Sequence, residues 1–175
     1  MYVINLFGAP GAGKSTGAAY IFSQLKINGI NAEYVSEFAK DKVWEESKEA
    51  FKNQAYLFGK QYFRISRCKD KVDVIVTDSP LPLSLLYNQD ENLGEEFNAV
   101  VMKVFNSFKN LNYYINRTKP YNPKGRLQNE KESDELVTPL KNLLIANEIV
   151  YDEYNGEMRD YDKIIKDILN KINEG

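Results

Sequence analysis

The chain has no histidine and a single cysteine, Cys68, among 175 residues. Without histidine, Ser-His-Asp and zinc-histidine chemistry are excluded, so proton transfer has to rest on Asp, Glu, Lys or Tyr. One cysteine permits neither an internal disulfide nor a cysteine metal cluster, as expected for a reducing, cytoplasmic setting. The formal net charge is only −2, so no global basic field exists to hold nucleic acid. Arginine is scarce, at 5 residues against 18 lysines, which makes the place of each arginine informative. No run is apolar enough to span a membrane, and the first apolar stretch is broken by Gly and Lys, unlike a signal peptide.

What is present suffices for a core. The apolar fraction is 43%, enough for one folded domain of this length. No repeat, low-complexity block or linker divides it, so residues 1–175 read as one domain. Apolar runs at 3–7, 31–36, 74–78, 111–116 and 148–154 read as strands. Between them, apolar residues at helical spacing predict helices over 14–28, 48–67, 97–108, 136–144 and 164–172. Strands alternating with helices predict an α/β fold: a five-stranded parallel sheet between two helix layers. In such sheets ligands bind beyond the carboxyl ends of the strands.

The first such end carries GAPGAGKST, which fits the phosphate-loop pattern G-x-x-x-x-G-K-[ST] between a predicted strand and a predicted helix. Its glycines let backbone N–H groups turn towards phosphate oxygens, and the helix start adds positive potential. Gly8, Pro10, Gly11, Ala12, Gly13, Lys14, Ser15 and Thr16 form the expected cradle. Lys14 would reach the outer phosphates, and Ser15 would offer its hydroxyl to Mg²⁺. Asp78 ends the apolar run VDVIVTD and is the second expected Mg²⁺ contact, with turn capping as its alternative.

Three kinds of phosphate-loop protein can be told apart. A switch GTPase needs N-K-x-D and D-x-x-G; NRTK at 116–119 lacks the Asp, and Asp78 is followed by Ser-Pro-Leu. A motor ATPase usually sets Glu after the strand-end Asp, and here Ser79 follows. A kinase needs a cationic flap that closes over the transferred group. The stretch NRTKPYNPKGRLQNEKESDE supplies one, with Arg117, Lys119, Lys124 and Arg126 in a lid over about 117–133. Arg117 and Arg126 suit phosphate oxygens through their planar forks, and Glu130 and Asp134 could position them. A solvated polar loop is the plainer alternative.

On the acceptor side, Glu37 in YVSEFAKD stands at the end of the second strand. It is the carboxylate placed to orient or deprotonate a hydroxyl, with helix capping as its alternative. Phe38 and Trp44 could stack a planar base or simply pack. Gln54, Leu57, Gln61 and Arg64 share one helical face, so their polar groups could read a base or sugar edge or merely be wet. Lys40, Lys42 and Arg64 are the candidate cations should the acceptor carry its own phosphate.

Through GAPGAGKST, SEFAKD, VIVTDSP and KPYNPKGR, most of the chain resembles the P-loop nucleoside and nucleotide kinases. The nearer likeness is to the nicotinamide-riboside-kinase-like ATP-binding domain of bacterial NAD regulators and related phage proteins. The resemblance implies strand order 2-3-1-4-5, an adenine pocket near the last strand and a lid over ATP. It also implies Glu37 as the acceptor-side and Asp78 as the Mg²⁺-side carboxylate. One departure stands out: deoxynucleoside kinases usually carry an Arg after the third strand's acid, and DSP has none. The expected activity is ATP- and Mg²⁺-dependent transfer to a nucleoside, nucleotide or nicotinamide riboside. A kinase acting on DNA or RNA and a non-catalytic nucleotide-binding module are the alternatives. A homodimer is left open, and no membrane partner is expected.

Overall fold

Strand β1 (Tyr2–Phe7) suits the middle of the sheet because, apart from Asn5, it is apolar towards both helix layers. Ile4 and Leu6 face one layer, and Val3 and Phe7 the other, as the two-residue pleat dictates. The computed structural model, which describes residues 1–174, sets β1 between β3 (Val74–Thr77) and β4 (Lys109–Asn116). Outside these lie β2 (Ala32–Val35) and β5 (Asp152–Asn155), giving the order β2-β3-β1-β4-β5 with every pairing parallel.

Helices α1 (Lys14–Ile27) and α9 (Met158–Glu174) cover one face. Ala18, Ile21 and Leu25 meet Ile164, Ile165 and Ile168 there in one buried cluster. The other face is covered by α4 (Gln54–Ser66), α6 (Glu95–Phe105) and α8 (Val137–Ala146). Short helices α2 (Phe38–Trp44), α3 (Lys48–Phe51), α5 (Leu83–Leu86) and α7 (Glu130–Glu135) lie around the carboxyl edge of the sheet. Their brevity hides any periodicity, and α2 and α5 are absent from the sequence reading.

Three predicted elements change shape. The helix expected over 48–67 breaks at Asn53, whose side chain accepts the Tyr56 N–H at 2.8 Å and so starts α4 afresh. The strand expected from 148 begins only at Asp152. Ahead of it, Ile149 N–H returns to the Leu144 carbonyl at 2.9 Å, with Glu148 at φ 53. These residues therefore close α8 in a left-handed cap. The last part of the predicted lid is helical, since Asn129 and Glu132 form a reciprocal capping box at the start of α7. No described helix is long and apolar enough to cross a membrane.

Candidate active site

Gly8, Gly11 and Gly13 all adopt positive φ, the backbone conformation that curls the loop after β1 into a cradle. Lys14 lies inside it, with Nζ donating to the Gly8 carbonyl at 2.7 Å and the Ala9 carbonyl at 3.1 Å. Two tyrosines brace the cradle from outside. The Tyr161 hydroxyl donates to the Gly13 carbonyl at 3.0 Å from α9, and the Tyr121 ring lies so close to Gly11 that a Cβ there would come within 2.8 Å of it. From α7, the buried Ser133 hydroxyl donates to the Pro10 carbonyl at 2.7 Å. None of the three stands out in sequence: Tyr161 belongs to the apolar stripe of the last helix, Ser133 sits in an acidic run, and Tyr121 is one more lid aromatic.

A cavity of about 410 Å³ opens from this cradle across the carboxyl edge of the sheet. Lys14, Ser15 and Thr16 of the cradle line one part of it, with Asp78 and Glu37 close to Lys14, and Lys124 and Arg126 of the lid also on its wall. The far end carries Val43, Phe51, Gln54, Leu57, Leu83 and Tyr87. Polar and apolar groups share the cavity lining about equally, with the charged groups supplied by the cradle, Glu37, Asp78 and the lid.

Glu37 occupies the N-cap position of α2, yet its side chain makes no capping bond. Other groups do that work. Asp78 Oδ1 accepts the Glu37 N–H at 3.1 Å, and Gln61 Oε1 accepts the Phe38 N–H at 2.8 Å. The Glu37 carboxylate is therefore left facing the cavity. Burial pushes its pKa up, and the Asp78 charge adds to this, while Lys14, Lys40 and Arg126 hold it down. Burial likewise pushes the Lys14 ammonium down, against the opposing pull of Glu37 and Asp78. Tyr87, near Glu37, is shifted upward by burial and by that carboxylate, so its hydroxyl stays protonated. Tyr87 is a cavity residue that the sequence reading missed, since it sits in an irregular stretch after α5.

The other candidates divide. Gln54 is 6% exposed and lines the cavity. Gln61 lines it too, but its amide is already engaged with Phe38, Ser36 and Thr77. Phe38 lies outside the cavity wall, packed edge-on against Tyr56 at 5.5 Å and covered by the Arg64 guanidinium at 5.0 Å. Arg64 itself is bonded to Asp41 and to the Ser36 carbonyl, also away from the cavity. In the lid, Arg126 reaches the cavity, whereas Arg117 is held behind it by Asp134 and by Glu130 at 3.5 Å. Both guanidiniums flank the Tyr121 ring, at 5.3 and 5.4 Å.

A Mg²⁺ ion would find hard oxygen donors here. Ser15 and Asp78 line the same cavity, and the described residues contain no cluster of three or more His, Cys, Asp or Glu that could hold a metal by itself. That sparse set fits Mg²⁺, which keeps waters and substrate phosphates beside one or two protein oxygens.

Over 97% of this chain, the structure matches that of the NadR protein in complex with NR, at a TM-score of 0.72 and 18% identity. The fold is that of the P-loop nucleoside kinases. This chain spans only 51% of the NadR chain's length. Against the M. mycoides deoxyadenosine kinase with bound dATP, the P-loop kinase fold extends over 98% of this chain and 99% of that one, at a TM-score of 0.57 and 21% identity. No protein-family model and no curated protein matches the sequence.

Proposed function

We propose that this chain transfers the terminal phosphoryl group of ATP, with Mg²⁺, to a hydroxyl of a nucleoside or of nicotinamide riboside. The observation that carries this reading is one cavity lined both by the phosphate cradle and by the half-buried Glu37, whose carboxylate makes no capping bond. Lys14 and Arg126 would neutralise charge on the transferred group, and Ser15 and Asp78 would hold Mg²⁺. When bound, Mg²⁺ would supply charge neutralisation for the phosphate groups held there. Glu37 would orient the acceptor hydroxyl and take its proton, and burial, by raising its pKa, makes its carboxylate a stronger base. Positioning and electrostatics would supply most of the catalysis.

Charge around the far end favours an acceptor without a phosphate of its own. Of the three cations offered for such a phosphate, Lys42 pairs with Glu45 and Arg64 with Asp41, and neither lines the cavity. Only Lys40 does. The bound molecules of the two neighbours, NR and dATP, are of the nucleoside and nucleotide classes that this reading calls for. The lid over the cavity supports a small acceptor over a nucleic-acid strand.

The decisive test is a panel of nucleosides, nicotinamide riboside, mononucleotides and oligonucleotides, each with labelled ATP and Mg²⁺. Label should enter a nucleoside or nicotinamide riboside and not a mononucleotide. Label in oligonucleotides alone would transfer the reading to a nucleic-acid kinase. ATP binding with no labelled acceptor would leave a nucleotide-binding module and end the kinase reading.

A further inference from the structure

The lid stands on two footings. At its root, the Tyr121 ring rests on Gly11 of the phosphate cradle. At its tip, Gly125 rests on the indole of Trp44, the last residue of α2. A Cβ built on Gly125 would lie 2.7 Å from Trp44 Cζ2 and 3.2 Å from Cη2. Gly125 also has φ 71, so a side chain there meets backbone strain as well as the indole. Arg126, the next residue, lines the cavity with its guanidinium donating to the Asn122 carbonyl, and its charge bears on both Lys14 and Glu37.

Trp44 needs an explanation. It is the only tryptophan of the chain and is 67% exposed, contributing nothing to the three buried clusters. A large indole left at the surface loses the burial that usually justifies it. Its close contact with Gly125 joins the lid to α2. That short helix begins at Glu37 and places Ala39, Lys40 and Val43 on the cavity wall.

We propose that Trp44 and Gly125 form a catch that fixes the lid against α2 and so sets Arg126 over the phosphate cradle. Trp44 is then a positioning residue for phosphoryl transfer, acting through Arg126 and never touching the phosphates. The catch also links the two ends of the cavity. An acceptor that settles α2 steadies the footing on which the lid closes, and water is kept from the transferred group only when both are in place. The catalytic part of this inference rests on the kinase reading above; the contact itself does not.

The lone tryptophan makes the contact directly observable. In the wild type the Cζ2–Cη2 side of the indole lies against Gly125. Gly125→Val should lift the lid tip and increase acrylamide quenching of Trp44 fluorescence, without any need for turnover. With a working acceptor, Gly125→Val and Trp44→Ala should each lower kcat about tenfold or more, as expected when a catalytic group is misplaced by about 1 Å. Acceptor KM should stay within about twofold, the fraction of ATP lost to water should rise, and Trp44→Phe should recover much of kcat. Trp44 is mostly exposed, so Trp44→Ala removes no core contact and should fold normally. Unchanged quenching in Gly125→Val would overturn the catch, whether or not any acceptor is phosphorylated. Altered quenching with unchanged kcat and coupling would overturn the positioning role. If the wild type labels no acceptor, the kinase reading fails, and the quenching result still decides the contact.

Discussion

The two ends of the cavity hold their chemistry by different means. At the phosphate end a contiguous stretch, Gly8 to Thr16, works mainly through backbone groups, and its shape follows from glycines at positive φ. Along the rest of the cavity Glu37, Gln54, Asp78 and Tyr87 come from four separate segments, and each offers its side chain. The first kind of site is portable and says little about the reaction. The second is assembled by the fold and depends on neighbours that hold each group in place.

The sharpest way to break this comparison is at Lys14. Lys14→Ala should cost at least about 1,000-fold in kcat, because it removes the one cation inside the cradle. The mutant should keep its thermal stability near that of the wild type. The Lys14 ammonium is desolvated with its pKa lowered, so its loss relieves a penalty as well as removing two hydrogen bonds. A modest loss of rate, below about tenfold, would mean that charge neutralisation lies elsewhere in the site.

The counterpart at the other end is Glu37→Gln, expected to lower kcat about a hundredfold or more with little change in ATP affinity. Its stability effect has the opposite sense to its effect on rate. Burial raises the folded-state pKa of Glu37 above the value in the unfolded chain. Below the ordinary carboxylate range both states are protonated and there is no penalty. As pH rises from that range towards the folded pKa, the unfolded chain ionises first, so Glu37 costs stability. Glu37→Gln should therefore melt at a higher temperature than the wild type at pH 7 and at nearly the same temperature at pH 4. For the wild type, the acidic limb of kcat/KM should lie above the usual carboxylate range, and Glu37→Gln should flatten it. Equal melting temperatures for both proteins at pH 7 would show that Glu37 is solvated like a surface residue.

The same contrast explains what could be read from the sequence. The strand-loop-helix of residues 2–27 is local, and each part of it is recorded in adjacent residues. Strand order followed from the resemblance, and the apolar run ending at Asp78 does form β3 with its acid at the sheet edge. Asn5 was hidden inside an apolar strand, yet its amide is satisfied by Asn110 at 2.9 Å and Asn112 at 3.0 Å across the sheet. No local pattern announces a pairing between residues so far apart in the chain. Helix periodicity misled at 48–67, because one Asn side chain can restart a helix without disturbing the spacing of apolar residues. It also put Gln54, Gln61 and Arg64 on one face but could not say that this face was covered. Gln54 and Gln61 are buried, and Arg64 is turned aside by Asp41.

Arg64 provides the finest test of where the acceptor end stops. Its guanidinium pairs with Asp41, bonds the Ser36 carbonyl at 3.3 Å and lies over the Phe38 ring. All three partners are on or beside α2, outside the cavity wall. Arg64→Ala should thus act only through the seating of that helix. The pair is partly open to solvent, so its loss should cost no more than about 1 kcal/mol of stability, less at high salt. Acceptor KM should move by less than about twofold, a free-energy change below about 0.4 kcal/mol. A tenfold rise in KM, with kcat and ATP affinity unchanged, would instead mean that the guanidinium reaches the acceptor. The acceptor end would then extend past Gln61 to the outer turn of α4, and an acceptor carrying its own phosphate would regain a cation to hold it.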